Sequence, residues 1–198
     1  MPTKERKKRI KDVLRFRQPD LRVVLEDITN THNASAVVRT CDAAGILYID
    51  IIHSRPEPFP INESISTRAE KWVKFNHYSS TKECFSSLKK QGFKIACTHI
   101  SSEAVNYTSI DYTQSVAIVF GNELEGVTEE AVHLSDHLIQ IPMFGMVQSL
   151  NLSVSAGIIL YEACRQRVQK GLYEKSRLSE KKFNAIQKEW LGLKKDKK

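Results

Sequence analysis

At 198 residues, 41% hydrophobic and 27% charged, the chain has the profile of a soluble globular protein: one domain with short extensions. No apolar run approaches a membrane span, since "GIILYEAC" is interrupted by Glu162, and the opening "MPTKERKKRIKDVLRFR" lacks the apolar core of a secretory signal. The cysteines (Cys41, Cys84, Cys97, Cys164) form no C-x-x-C pair, which points to reduced thiols in a cytoplasm and away from a disulfide frame or a metal site.

The formal net charge is +7, but it is unevenly spread. Residues 1–17 hold eight Lys and Arg against two acids, and residues 165–198 hold twelve against four. The body between them is acidic, with ten basic residues against seventeen acids. Phosphate contacts dominate sequence-independent affinity for nucleic acids, so the amphipathic, Arg-bearing parts of both ends are expected to grip a polyanion. Arg15 and Arg17 in "RIKDVLRFR", and Arg165 and Arg167 in "RQRVQKGLYEKSR", are the candidate RNA-binding residues. The extreme "LKKDKK" reads as a solubilising end.

Along the body, strands and helices alternate. "LRVVLED" (21–27) is β-branched and apolar, and "THNASAVVRTCDAAG" has helical spacing up to Gly45. Its inward stripe is expected at Ala36, Val37, Thr40, Cys41 and Ala44, leaving Arg39 pointing away. "ILYIDII" (46–52) is a second strand, followed by a Pro-rich turn, "RPEPFP", and a short segment around Trp72–Tyr78. "STKECFSSLKKQG" (80–92) is a helix capped by Ser or Thr and closed by Gly92, and "FKIACTH" (93–99) is a strand. "SVAIVFG" (115–121) reads as a strand buried on both faces. "TEEAVHLS" is a short capped helix, "HLIQIP" a strand, 149–168 a long helix, and roughly 179–193 a basic helix. This order implies an α/β fold, a mostly parallel sheet flanked by helices, with its ligand beyond the carboxyl ends of the strands.

Three connecting loops carry candidate chemistry. Asn33, at the start of the first body helix, either caps that helix or holds a ligand. In "GNELEGV" two glycines and two acids close a strand end with no phosphate-loop pattern, so Glu123 and Glu125 suit a ligand with ammonium or hydroxyl groups. In "IQIPMFGMVQSLNLS", Pro142 and Gly145 impose an irregular path whose free backbone groups can read a flat heterocycle, with Ile141, Met143, Phe144 and Met146 against its faces. Ser149 or Asn151 would cap the helix that follows. That helix is apolar on two faces, Leu152, Ala156, Ile159 and Ala163 on one and Val154, Ile158 and Tyr161 on another. One sheet covers one face; the other is expected to meet a second copy in a two-fold homodimer.

"NASAVVRTCDAAG", "IVFGNELEGV" and "IPMFGMVQSLNLSVSAGIILYE" together resemble, in order and spacing, the three motifs of the SpoU/TrmH family, RNA 2′-O-ribose methyltransferases of the SPOUT class. The resemblance covers residues 20–168, and the basic ends resemble those of the branch that methylates guanosine 18 in the tRNA D-loop. It implies a body at 20–168 with a C-terminal trefoil knot, basic helical extensions at 1–19 and 169–198, a homodimer and a cytoplasmic tRNA substrate. It further implies S-adenosyl-L-methionine as methyl donor and no metal. Backbone around Ile141, Met143 and Leu150 would read the donor's adenine, with Thr98 and Gly121 also lining the site. Arg39, Asn33, Glu123, Ser149 and Asn151 match the motifs' functional positions.

The reaction would be in-line attack of a ribose hydroxyl on a sulfonium methyl, helped chiefly by positioning. A guanidinium keeps its proton and clamps phosphate well. Arg39 is therefore expected to pin a substrate phosphate and steady the emerging alkoxide, with the proton leaving through phosphate or water. Two rivals remain at this stage: the same reaction on ribosomal RNA or the tRNA wobble position, and a non-catalytic RNA-binding protein on the same fold.

Overall fold

The computed structural model describes residues 2–54, 59 and 61–193. The Pro-rich turn at 55–60, apart from Phe59, and the end of "LKKDKK" lie outside the described residues.

Seven strands form one sheet: β1 (Gln18–Glu26), β2 (Ile46–Ile52), β3 (Lys74–Tyr78), β4 (Lys94–Thr98), β5 (Val105–Asn106), β6 (Val116–Phe120) and β7 (His137–Gln140). Their order is β3-β2-β1-β6-β4-β7-β5, and every neighbouring pair is parallel. The helices are α1 (Lys4–Arg15), α2 (Thr31–Ala43), α3 (Glu63–Ser66), α4 (Thr81–Lys90), α5 (Glu129–Leu134), α6 (Leu152–Gln169) and α7 (Glu180–Trp190). No helix among the described residues is long and apolar enough to cross a membrane.

Side chains alternate across a strand, so each central strand feeds two cores. Leu21, Val23 and Leu25 of β1, with Ile118 and Phe120 of β6, pack under α2 and α6 against Val37, Cys41, Ile159 and Ala163. Val24, Ala117 and Val119 face the other way, toward Cys84, Phe85 and Leu88 of α4 and Ala131 of α5. All of β6 is buried, as its unbroken apolar run requires. The cysteines are free thiols, and burial pushes each of them up from its ordinary value. The arc of α2 that packs inward is Ala34, Ser35, Val37, Val38 and Cys41, with Ala36 and Thr40 only half-buried. The expected stripe is rotated because α3 covers one flank, where Ser35 Oγ accepts from the Asn62 amide at 2.8 Å.

The two basic ends are packed, not loose. Ile10 and Leu14 of α1 meet Ile186 and Trp190 of α7 over Leu47 of β2. Trp190 lies edge-on to Trp72, with centroids 5.3 Å apart. Gly45, whose φ is 79°, leads into β2; a Cβ there would lie 2.8 Å from the Phe16 carbonyl oxygen.

Two arginines expected to meet RNA are instead interior fasteners. Arg17 is 1% exposed. It donates to the carbonyls of Asp42 and Ile46 at 3.0 Å, ion-pairs with Asp42 and lies over the Trp190 ring. Arg167 is fully buried. It donates to the Tyr112 and Gln114 carbonyls, to Gln18 and to the Asp20 carboxylate, each within 2.9 Å. A guanidinium has five N–H donors and no acceptor. Buried and turned onto carbonyls and carboxylates of the interior, neither side chain is available to a phosphate.

Asp20 also pairs with Arg177, and so joins β1, α6 and the segment leading to α7. Burial by itself would raise the Asp20 carboxyl, but hydrogen bonds and charge from Arg177 and Arg167 outweigh it and hold the group below the ordinary carboxylate range. A depressed carboxyl stabilises the fold above its unfolded value, about 3.9, and that share is lost as pH falls through the lower folded value. Asp20→Asn strands the charge of a buried arginine and is expected to cost about 3 kcal/mol at pH 7. In urea titrations at fixed protein concentration, the gap between variant and parent should hold above the ordinary carboxylate range and narrow progressively as pH falls below it. A gap independent of pH would show that the Asp20 charge is not what stabilises this corner.

Candidate functional site

With every strand parallel, the carboxyl ends of β1, β4, β6 and β7 open on the same side, and a cleft of ≈ 550 Å³ lies there. Its walls come from the end of β4 (Thr98, His99, Ile100), the loop after β6 (Gly121–Gly126), the chain after β7 (Ile141, Met143, Gln148–Asn151), the first turns of α6 (Leu152, Ser155, Ile159) and Asn33. The cleft thus gathers the expected Asn33, Glu123, Ser149 and Asn151 with Thr98, Gly121, Ile141, Met143 and Leu150. Arg39 is not among the lining residues; it stands exposed on α2 with no ion-pair partner among the described residues.

The loop after β6 is closed on itself. The Gly126 amide donates to the Asn122 carbonyl at 2.9 Å, and Gly126 has φ 74°. Asn122 Oδ1 accepts from the amides of Leu124 and Glu125, while its Nδ2 donates to the Asp27 carbonyl at 2.8 Å. Gly121 has no room for a side chain: a Cβ would sit 2.1 Å from the Gly126 carbonyl carbon and 2.2 Å from the Val127 nitrogen.

Glu123 turns back toward the start of α2. Its carboxylate accepts from the amides of Thr29 (3.4 Å) and Asn30 (3.3 Å) and from Asn33 Nδ2 (3.2 Å). Asn33 Oδ1 in turn accepts from Asn151 Nδ2 at 3.0 Å. One hydrogen-bonded line, Glu123–Asn33–Asn151, therefore ties together three loops distant in sequence. Asn33 does not cap α2; Asn30 does, accepting from the amides of His32 and Asn33. Asn151 caps α6, accepting from the Ser153 amide at 2.8 Å. Ser149 is exposed and makes no side-chain hydrogen bond to a described residue.

From Pro142 to Leu150 the backbone makes no hydrogen bond to the rest of the described backbone. Peptide groups left open beside the apolar Ile141, Met143 and Leu150 suit the edge and faces of a heterocycle. The lining includes Glu123 and Glu125 but no Lys or Arg. A cleft so charged disfavours a phosphate-bearing ligand and accommodates a cation. Among the described residues no group of three His, Cys, Asp or Glu side chains could hold a metal.

Two contributors escaped the sequence reading. Asn122 sits inside the quoted "GNELEG", but nothing in its spacing announces that its side chain organises the loop. Glu26 ends β1 and is 1% exposed; in "LRVVLED" it stands beside Asp27, and nothing in the pair says which of the two acids is buried.

A parallel α/β sheet whose carboxyl-end loops enclose a cation-free, partly apolar cleft defines a small-molecule-binding enzyme scaffold. Residues 20–161 match the model of the SpoU rRNA Methylase family, and the chain belongs to that family. It is 46% identical to the tRNA (guanosine(18)-2'-O)-methyltransferase of Aquifex aeolicus over 94% of this chain and 88% of that protein. It is 43% identical to the enzyme of the same description from Thermus thermophilus over 96% of this chain and 97% of that one. Among solved structures, the A. aeolicus TrmH/SpoU tRNA modifying enzyme superimposes with a TM-score of 0.90 at 46% identity, covering 94% of each chain.

Adding a methyl group at Gly121 tests whether the cleft depends on the closed loop. Gly121→Ala must push apart backbone atoms, with overpacking worth about 1–3 kcal/mol. S-adenosyl-L-methionine, titrated calorimetrically, is expected to bind the variant at least about tenfold more weakly, equivalent to about 1.4 kcal/mol. Unchanged melting temperature and affinity would mean that the loop is open in solution.

Proposed function

We propose that the chain is an S-adenosyl-L-methionine-dependent methyltransferase acting on the ribose 2′-hydroxyl of guanosine 18 in tRNA. The observation that carries this reading is the cleft itself. Acidic, free of Lys and Arg and edged by unpaired backbone, it fits a nucleoside joined to a sulfonium and an amino acid. The substrate assignment rests on relatives at 42–46% identity described as tRNA (guanosine(18)-2'-O)-methyltransferases.

When bound, the donor supplies a methyl group on a positively charged sulfur, open to in-line attack by a hydroxyl. The protein's part is placement. Ile141, Met143 and Leu150 hold the heterocycle, with Thr98 and Gly121 on the cleft wall. The Glu123–Asn33–Asn151 line fixes the amides that face the reacting end. Ser149, with its hydroxyl uncommitted, is free to bond a ribose oxygen. This positions both reactants, the effect on which such a transfer chiefly depends.

Arg39 is the phosphate clamp of this reading. Because it stands outside the cleft of its own chain, a second copy is the body that brings it to the reacting ribose. The exposed side of α6 (Val154, Tyr161, Val168), with Phe144 and Met146, offers the apolar surface for such a two-fold homodimer. α2 packs beside α6, so pairing through α6 carries Arg39 toward the neighbouring copy. The loops at 121–127 and 141–151 are read as the crossing segments of a C-terminal trefoil knot. Arg15 and the exposed lysines of α1 form the basic surface for tRNA, with Arg165 on α6 as a further contributor, exposed although ion-paired to Glu162. Free cysteines, three buried and Cys164 half-buried, agree with a cytoplasmic setting.

Incubation with labelled donor and an unmodified tRNA transcript, followed by mapping of 2′-O-methyl groups, is expected to give a single mark at guanosine 18. A mark on another nucleotide or on ribosomal RNA would overturn the substrate, and no mark on any RNA would overturn the reaction. Arg39→Ala should lower turnover by at least about a hundredfold, some 2.7 kcal/mol, while calorimetric donor affinity stays within twofold. Turnover within about threefold of the parent would remove Arg39 from the catalytic set.

A further inference from the structure

Outside the cleft, the most demanding polar group is the carboxylate of Glu26. Its neighbours on that face of the sheet are Val24, Ile52, Cys84 and Cys97, and it is 1% exposed. An ionised carboxylate in such surroundings is costly unless donors surround it. Three do. Oε1 accepts from the Thr128 hydroxyl at 2.8 Å and from the Thr81 hydroxyl, and Oε2 accepts from the Thr128 amide at 2.9 Å. No Lys or Arg pairs with it among the described residues.

Thr128 is where the loop that walls the cleft ends. Gly121 opens that loop and Val127 closes it, their backbones in the contact that excludes a Cβ. At the entry, Asn122 donates to the carbonyl of Asp27, the residue after Glu26. At the exit, both polar groups of Thr128 are held by Glu26 itself. Adjacent residues at the end of β1 thus grip the two ends of one loop. Asp27 adopts φ 49°, left-handed and unfavourable for a side-chain-bearing residue, which turns the chain from the Glu26 grip into the Asn122 grip. Its own carboxylate is held by Ser54, accepting from the amide at 2.8 Å and from the hydroxyl at 2.6 Å.

We infer that Glu26 is a positioning residue for the methyl donor: through Thr128 it fixes the exit of the 121–127 loop and so sets the width of the donor cleft without touching the ligand. This rests on the reading of the cleft as the donor site. A carboxylate only accepts, and it takes a bond from each of the three facing groups as they stand. Glutamine would either oppose an N–H to the Thr128 amide or force both hydroxyls to turn round and accept, while Thr128 Oγ already accepts from the Ala131 amide. The Thr81 arm of the same carboxylate runs to α4 and not to the loop, so the two arms separate loop placement from general support.

The experiment compares Glu26→Gln, Thr128→Val, Thr128→Ser and Thr81→Val in full-length protein, each checked for folding by its melting temperature. The KM for S-adenosyl-L-methionine, the KM for tRNA and kcat at saturating donor are measured for each. Glu26→Gln and Thr128→Val are expected to raise the donor KM about tenfold, with the tRNA KM and saturated kcat within twofold. Thr128→Ser, which keeps the hydroxyl, should restore the parental donor KM, and Thr81→Val should leave it within twofold. Thr128 Oγ also caps α5, accepting from the Ala131 amide at 3.2 Å, so if Glu26→Gln does not fold, Glu26→Asp, which withdraws the carboxylate and leaves that cap in place, is measured in its stead. A donor KM unchanged in Thr128→Val overturns the inference. So does a parallel rise of both KM values, or an equal effect from Thr81→Val, since these mark a support for the fold at large. Failure of the parent protein to bind the donor in calorimetry would instead overturn the donor reading on which the inference stands.

Discussion

At the start of α2 the first amides have no partners within the helix, and the carboxylate of Glu123 is what meets the amides leading into it. The remaining architecture hangs on that pairing. Glu123 lies on the loop after β6, while Thr29 and Asn30 lie on the loop after β1; β1 and β6 are neighbours in the sheet, so both loops emerge side by side. Asn33 then shares its amide group between Glu123 on one side and Asn151 on the other. Its nitrogen donates and its oxygen accepts, so an aspartate could not complete both links. Three loops become one surface, and the cap of α6 belongs to it.

The same pairing changes what the acidic loop means. Read as a pattern, Glu123 and Glu125 were candidates to meet a cationic ligand. The geometry commits most of Glu123 to the protein's own donors, so its contribution to a bound cation is the field of a fixed charge and not a direct grip. The side of the cleft left open is the opposite one. The 142–150 segment has peptide groups without backbone partners, held in place by β7 before it and the Asn151 cap after it. Rigidity on one wall and unused hydrogen-bonding capacity on the other are what a site needs to select a ligand by shape and edge.

What could be read from the sequence divides by physical range. β2 was legible to the residue, and α4 nearly so, because a short apolar β-branched run, a capping serine and a terminal glycine are local signals. The two-residue β5 and the four-residue α3 carry too few residues for any period to show, and both owe their existence to neighbours. At the cleft, the motifs hold most of the lining residues, Arg39 excepted, while the hydrogen-bond partners of those residues were not legible. Asn33 and Asn30 are both plausible caps by type, and only the backbone decides that Asn30 accepts the two amides. Arg17 and Arg167 show the same limit more sharply. A sequence displays a guanidinium's charge but not the carbonyls that will surround it, so buried and exposed arginines look alike in a basic run.

Those two arginines also determine how the basic surface relates to the cleft. Arg17 fastens the end of α1 to the Asp42 end of α2 and to Trp190, and Arg167 with Asp20 and Arg177 fastens the path to α7. Both knots lie at the amino ends of the strands, where Gly45 passes under Phe16 and Lys74 opens β3 beside Glu189. The cleft lies at the carboxyl ends. The nine residues of β1 separate the two, about 30 Å at roughly 3.3 Å per residue. Within one chain, the fastened terminal helices and the cleft therefore stand at opposite ends of the sheet.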